Sequence, residues 1–287
     1  MGALHAFSTA FSLVSGEKKA YAVILIAVLI LIPLGTALGL SSGEGQVIKE
    51  TRMGNVTFEE YGAKGLSNTI AENLRNLLIY SLIAIVLFSS IQYGVTKAYI
   101  LFSRGEEYSM GELLMEGLKH FPGVVVVNIL GYLSLMLLSA IPIGMVITGA
   151  VAGEKGLVLL LLGVVLIIAI IPFGMAFSAI LVPAYIEEGN VGAFLNALTL
   201  ALKNFLSSLA LGILLLLLLL GVSVVLAPIL LLAYLTMPGS TALTSVIIAP
   251  FDAFIVAFVW ASGVVFYTDL REKEKGESPT DAFPSRP

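Results

Sequence analysis

Long apolar runs separated by short polar connectors dominate the 287 residues of this chain. A hydrocarbon core about 30 Å thick needs about 20 apolar residues, because a helix rises about 1.5 Å per residue. Six runs meet this requirement, and the fifth lies within residues 191–235. The other five predict spans over residues 20–40, 70–102, 122–150, 157–186 and 241–268. The pattern indicates an all-α, polytopic membrane protein in which six helices form three hairpins.

An amphipathic connector precedes each predicted hairpin. The connectors cover residues 1–15, 104–120 and 191–203, and they place Leu and Phe side chains on one side of a helix. Helices of this kind lie in the membrane interface. For the first connector a cleaved signal peptide is the alternative, but the apolar run after Lys19 exceeds the roughly 7–15 residues of a signal-peptide core. We therefore expect three interfacial connectors on one common side, and a transmembrane domain over residues 1–268.

Similar residues recur in three units along the chain. Each unit has a Lys at the end of its connector, a Pro late in its outgoing helix and a Tyr near the end of its returning helix: Lys19, Lys119 and Lys203; Pro33, Pro142 and Pro228; Tyr99, Tyr185 and Tyr267. The first unit departs from the pattern, because its Lys and Pro are 14 residues apart against 23 and 25 in the others. The recurrence favours an internal threefold repeat.

Two connectors contain the sequences MGELL, at residues 110–114, and GAFLNAL, at residues 192–198. Six spans in three hairpins behind such connectors resemble the membrane domain of the glycerophosphoryl diester phosphodiesterase membrane-anchor family and its stand-alone relatives. The resemblance covers most of the chain. In that family the hydrolytic chemistry belongs to a separate soluble domain. The resemblance therefore implies a membrane module and transfers no catalytic residue.

The longest polar segment, residues 41–73, is predicted to be the outer loop of the first hairpin. Within it, Gly54 and Asn55 suit the two-residue turn of a small β-hairpin. Asn55 also begins an Asn-Val-Thr triplet, which is an acceptor pattern for N-glycosylation. The loop is therefore predicted to lie outside the membrane, with Asn55 as a possible glycosylation site.

Two capping boxes and a charged tail predict further boundaries. Thr69 with Glu72 predicts the start of the second span, and Ser109 with Glu112 predicts the start of the helix leading into the third. Residues 269–287 contain the sequence REKEKGESPT, which is charged and includes proline. Such a segment is predicted to be a disordered cytoplasmic tail.

The distribution of Lys and Arg predicts the orientation of the chain. With both termini in the cytoplasm, the inner side carries ten of these residues and the outer side carries five. Cytoplasmic segments of membrane proteins carry an excess of Lys and Arg. The sequence therefore predicts a multi-pass protein of the cell membrane with both termini cytoplasmic, which also places Asn55 outside.

Composition narrows the chemistry. The chain is 58% hydrophobic, 12% charged and without cysteine, so disulfides, thiolate nucleophiles and Cys-ligated metals are excluded. His5 and His120 are the only histidines, and neither lies in a predicted span. No acidic pair or activated serine is recognisable, so we predict no enzymatic activity and no cofactor or metal. The basic residues are scattered over loops, so no nucleic-acid partner is expected.

Asp252 is the only acidic residue deep inside a predicted span. Because a charge at the centre of a bilayer costs about 2.5–3.5 kcal/mol, we expect Asp252 to face the bundle interior, either protonated or partnered. A proton or cation site and a structural hydrogen bond both remain open. Gln92 and Asn128 are the next candidates, more as interhelical hydrogen-bonding residues than as ligands. Lys97 is expected to extend a solvated amine to the inner interface.

These features favour a non-enzymatic membrane module that organises lipids or partner proteins. Its partners are predicted to be membrane lipids, with protein partners possible at the cytoplasmic connectors. The alternative is a small-solute or ion transporter that uses Asp252, with Gln92 in support. A water-filled cavity reaching Asp252 would favour transport, whereas lateral grooves in a dry bundle would favour the module.

Overall fold

The computed structural model describes residues 2–38, 63–236 and 241–276. Within these ranges the chain is helical and contains no strand. Six of its helices are long and apolar enough to cross a membrane, so the prediction of an all-α, polytopic membrane protein is confirmed. The α-helices are α1 (Gly2–Gly16), α2 (Lys18–Ala37), α3 (Ala63–Arg104), α4 (Met110–Val151), α5 (Leu157–Glu188), α6 (Ala193–Lys203), α7 (Phe205–Thr236) and α8 (Thr241–Lys275).

The three predicted hairpins differ in how closely their helices pack. Helices α4 and α5 are in extensive contact along their length, and α3 packs on both α2 and α4. The third pair is open, because α7 packs mainly on α5 whereas α8 packs mainly on α1 and α2. Helices α5 and α8 also contact each other, and each supplies more buried core residues than any other helix. The opening between α7 and α8 leaves space for a groove, described below.

The N-terminal connector does not lie apart from the bundle. Ala3, Ala6 and Ala10 are buried, and this small-residue face of α1 packs along α8. Phe7 and Phe11 pack their rings against Phe258, at centroid distances of 5.0 and 4.5 Å. The amphipathic pattern therefore predicted a helix correctly, but α1 is part of the core as well as an interfacial segment.

The other two connectors are built differently from each other. The second is continuous with the third span, because α4 runs without a break from Met110 to Val151. The third is a separate helix, α6, which ends where Asn204 leaves the helical conformation and its side chain donates to the carbonyl of Leu200. Ser208 then donates to the carbonyl of Ala201 and connects α7 to the end of α6.

The ends of α3, α5 and α8 meet on one side of the bundle, which we call the inner side. Glu187 on α5 pairs with Arg104 on α3, and it lies 4.0 Å from Arg271 on α8. Helix α5 ends at Glu188, the residue after Glu187, because Gly189 adopts a left-handed conformation with φ of 69°. Gly2 lies against Asp269. The first and last described helices therefore begin and end on the same side.

Several predicted boundaries change. Helix α3 begins at Ala63, so the capping box at Thr69 does not start it. Ser109 does occupy the N-cap position of α4, but its side chain makes no capping hydrogen bond. Helix α8 continues to Lys275, so the first residues of the predicted disordered tail are helical. Asn55, the predicted β-hairpin around it, and residues 277–287 of the tail lie outside the described residues.

Candidate functional site

Asp252 does not face the bundle interior. Its side chain is exposed on the outside of α8, and within the described ranges its carboxylate has no hydrogen-bond or ion-pair partner. The buried face of α8 includes a row of small residues at helical spacing: Ala249, Ala253, Ala257 and Ala261. A residue directly before Ala253 projects about 100° away from that face. The prediction that Asp252 is directed inward is therefore wrong.

The structure brings Gln92 and Asn128 together. The Asn128 side chain donates an N–H to Oε1 of Gln92 over 3.0 Å, which joins α3 to α4. This geometry agrees with the predicted interhelical hydrogen bond. The two amides do not contact Asp252, so Gln92 does not lie beside it as the transport alternative expected.

Gln92 and Asn128 line an open groove of about 540 Å³ between α3, α4, α5 and α8, which we call the polar groove. Its other polar residues are Ser89, Tyr132, Ser178 and Trp260, and the remaining lining residues are apolar: Ala84, Ile85, Phe88, Val125, Ile129, Ala179 and Val259. Tyr132 is exposed at the rim, whereas Ser89 is buried. The groove combines several uncharged hydrogen-bonding groups with an apolar wall inside the spanning region.

A cluster of aromatic and charged residues lies next to the polar groove toward the inner side. Nζ of Lys97 donates to Glu116 over 2.5 Å, and the Tyr93 hydroxyl donates to the same carboxylate over 3.0 Å. His120 stacks on Tyr93 at 4.8 Å, and its Nδ1 lies 3.4 Å from the hydroxyl of Tyr185. Lys97 therefore has a carboxylate partner, in contrast to the solvated amine expected from the sequence.

A second buried polar group lies at the junction of α1 and α2. Glu17 is 7% exposed, and its Oε1 has no hydrogen-bond partner within the described part of the chain. The buried hydroxyls of Tyr99 and Tyr108 lie near its carboxylate. Burial, followed by the neighbouring carboxylate of Glu17, raises the pKa of Tyr108 above its usual range. The raised pKa favours the protonated form of the Tyr108 hydroxyl.

Sequence analysis missed Glu17 and Glu116 because each is a charged residue in or next to a connector, where solvated side chains are the rule. A signal for Glu116 was present. Tyr93 and Lys97 are four residues apart on α3, and Glu116 and His120 are four apart on α4, so each pair lies on one helix face. Nothing in the spacing of Glu17 distinguishes it from Lys18 beside it.

A larger groove, of about 710 Å³, lies between the separated helices α7 and α8 and is closed on one side by α1 and α2. We call it the apolar groove. Its lining is almost wholly hydrocarbon: Phe7, Tyr21, Leu214, Leu217, Leu218, Gly221, Val222, Val225, Pro250, Phe251 and Phe254. The Tyr21 hydroxyl is already engaged, since it donates to the carbonyl of Pro250 over 3.2 Å. The surface therefore offers no polar recognition and suits a hydrocarbon chain.

Comparisons with protein-family models, with curated proteins and with solved structures give no match for this chain.

Proposed function

We propose that this integral membrane protein is a non-enzymatic module that holds a lipid hydrocarbon chain in the apolar groove. The observation that carries the proposal is the groove itself, which is open to the surroundings of the bundle and lined by residues of the spanning helices α2, α7 and α8. A groove of this kind in the hydrocarbon region is solvated by lipid, and burying apolar surface against a fixed wall gains dispersion contacts. The proposal agrees with the resemblance to the membrane-anchor family.

The inner side is proposed to face the cytoplasm of the cell and to contact partner proteins. Acidic residues dilute the basic ones there, since Glu112, Glu187 and Glu188 lie among Lys119 and Arg104. Such a mixed surface is not specialised for anionic lipid, which needs clusters of Lys and Arg. Protein contacts are therefore the better match for this side.

Transport through Asp252 receives no support from the geometry. Neither the polar nor the apolar groove is lined by Asp252. Its exposed position on α8 also places it outside the helix contacts that would form a path through the bundle. The lipid-holding module is the function that the grooves favour.

A photoactivatable phospholipid tests this function. The protein in lipid nanodiscs is irradiated with a phospholipid that carries a diazirine in its acyl chain, and labelled residues are mapped by mass spectrometry. We expect labelling of Leu217 and Val225 in the groove to exceed that of Leu137 on α4, which is 75% exposed and lines neither groove. A chain held in the groove stays near its wall longer than a freely exchanging lipid does.

A groove-filling variant provides the control. A Cβ at Gly221 meets nothing within 4 Å, so Gly221→Leu fills the groove without a clash at its base. This change should lower labelling in the groove to the level at Leu137. Val224→Leu on the same helix, at a position that is 73% exposed, should leave it unchanged. Equal labelling of the groove residues and of Leu137 in the unchanged protein would refute the proposed function.

A further inference from the structure

We propose that the polar groove binds an uncharged lipid by hydrogen bonds to the carbonyl oxygens of its head. This site lies between α3, α4, α5 and α8, whereas the apolar groove lies between α7 and α8. The two sites have different lining residues and take different parts of a lipid. Neither proposal depends on the other.

Every polar side chain that lines the groove carries an N–H or O–H donor. Asn128 uses one N–H on Gln92, and among the described residues its second N–H and both N–H bonds of Gln92 have no acceptor. The hydroxyls of Ser89 and Tyr132 and the indole N–H of Trp260 have no partner among the described residues. An unpaired donor in a hydrocarbon environment is unfavourable. A ligand that brings acceptors therefore gains most here.

The charge of the lining sets the class of ligand. No Asp, Glu, Lys, Arg or His lines the polar groove. Lys97 and Glu116, in the neighbouring cluster toward the inner side, form an ion pair with each other. An ionic or zwitterionic head would enter the groove without a counter-charge, at a high cost of desolvation. The matching head is uncharged and presents carbonyl oxygens, with apolar parts against Phe88, Val125 and Val259.

Two sources supply this chemistry. A benzoquinone carries two carbonyl oxygens on a planar ring, and a diacylglycerol carries two ester carbonyls on a flexible backbone. Both are neutral lipids that partition into the hydrocarbon region. The shared feature is the carbonyl acceptor, and a pair of soluble short-chain probes separates the two.

Trp260 makes the test direct, since it is the single Trp of the chain and lines the groove. The purified full-length protein in detergent is titrated with decyl-benzoquinone, with 1,2-dioctanoylglycerol and with hexadecane, and the emission of Trp260 is followed. We expect a saturable change with at least one carbonyl probe and none with hexadecane. Saturation by one probe alone identifies the source. A change that never saturates, or that hexadecane reproduces, overturns the proposal.

Matched variants test whether the change in Trp260 emission arises from binding in the polar groove. Ala84→Phe fills the groove and leaves the pair of Gln92 and Asn128 intact, so the saturable change should disappear. Leu82→Phe, on the same helix and 65% exposed, should keep it. Gln92→Leu removes donors and should weaken binding about five- to tenfold. Circular dichroism verifies that each variant is folded. If Ala84→Phe does not fold, Gln92→Leu alone tests the proposal. Unaltered binding in either folded variant overturns the proposal.

Discussion

Two aspartates on α8 show that the environment, and not the residue type, decides what a carboxylate does. Asp252 is exposed and without a partner in the described ranges, whereas the side chain of Asp269 is 2% exposed and lies 3.0 Å from Nδ1 of His5. A hydrogen bond to a charged group contributes more than one between neutral groups. The sequence selected Asp252 because of its depth, but the carboxylate with structural contacts is Asp269.

Matched alanine variants test this difference. Asp269→Ala removes the contact with His5 and leaves a small cavity under α1, so we expect a loss of about 1–2 kcal/mol in the free energy of unfolding. Asp252→Ala should change the free energy of unfolding by less than about 0.5 kcal/mol, because it removes an exposed side chain that has no partner in the described ranges. Thermal denaturation of the detergent-solubilised protein, followed by circular dichroism, measures both. Equal losses for the two variants would contradict the assignment.

At the residue scale, the sequence could identify which polar residues lie at membrane depth but not which way they project. Gln92 and Asn128 were predicted as hydrogen-bonding residues, and the structure joins them. The direction of Asp252 was predicted wrongly, because α8 is apolar on nearly all sides and gives no amphipathic signal. In a span of this kind the face is set by helix contacts, which depend on the positions of small residues such as Ala253 and Ala257.

At the scale of helices, length and hydropathy predicted the six spans, and caps and contacts set their ends. The start of α3 at Ala63 and the end of α8 at Lys275 both fall in polar sequence, where hydropathy gives no signal. The amphipathic pattern of α1 predicted a surface helix, since the apolar side of such a helix fits a membrane interface or another helix equally well. Its small residues Ala3, Ala6 and Ala10 favour packing on another helix, and in the structure this face packs against α8.

Close backbone contact between α5 and α7 gives a prediction at this scale. A Cβ atom at Gly212 would overlap the carbonyl oxygen of Pro172, so Gly212→Ala forces the two helices apart. We expect a loss of about 1–3 kcal/mol in the free energy of unfolding, as for an overpacked core. Gly144 on α4 has nothing within 4 Å of such an atom, so Gly144→Ala should be neutral or stabilising by up to about 1 kcal/mol.

Thermal denaturation in the same detergent compares the two glycine variants. Both add a single methyl group to an apolar helix, so the difference between them reports the helix contact and not helix propensity. If Gly212→Ala were as stable as Gly144→Ala, the close contact of α5 with α7 would be wrong. The position of the apolar groove, which depends on α7 packing on α5 and away from α8, would then be in doubt as well.

At the scale of the whole molecule, side-chain contacts at the inner side connect helices that belong to different hairpins. Glu187 contacts both α3 and α8, and Glu188 accepts a hydrogen bond from Asn196 of α6 over 2.8 Å. Lys203 at the end of α6 pairs with Glu274 on α8 over 2.7 Å. Helices α7 and α8 have few mutual contacts along their described lengths. The molecule is therefore held together at its inner end and open laterally, which is where the grooves lie.

This arrangement has a consequence for membrane topology that the absence of cysteine makes simple to measure. Each introduced cysteine is the single thiol of the chain, so a membrane-impermeant maleimide reports one position at a time. Glu107 and Asn190 are exposed on the inner side, and Glu154 is exposed at the turn between α4 and α5 on the opposite side. The sequence predicts ten of the fifteen basic residues on the inner side, so that side is expected to face the cytoplasm. Glu107→Cys and Asn190→Cys should then react in inside-out vesicles, and Glu154→Cys in right-side-out vesicles.

Reaction of Glu107→Cys and Asn190→Cys from opposite sides would contradict the hairpins, whereas reversal of all three would contradict only the orientation.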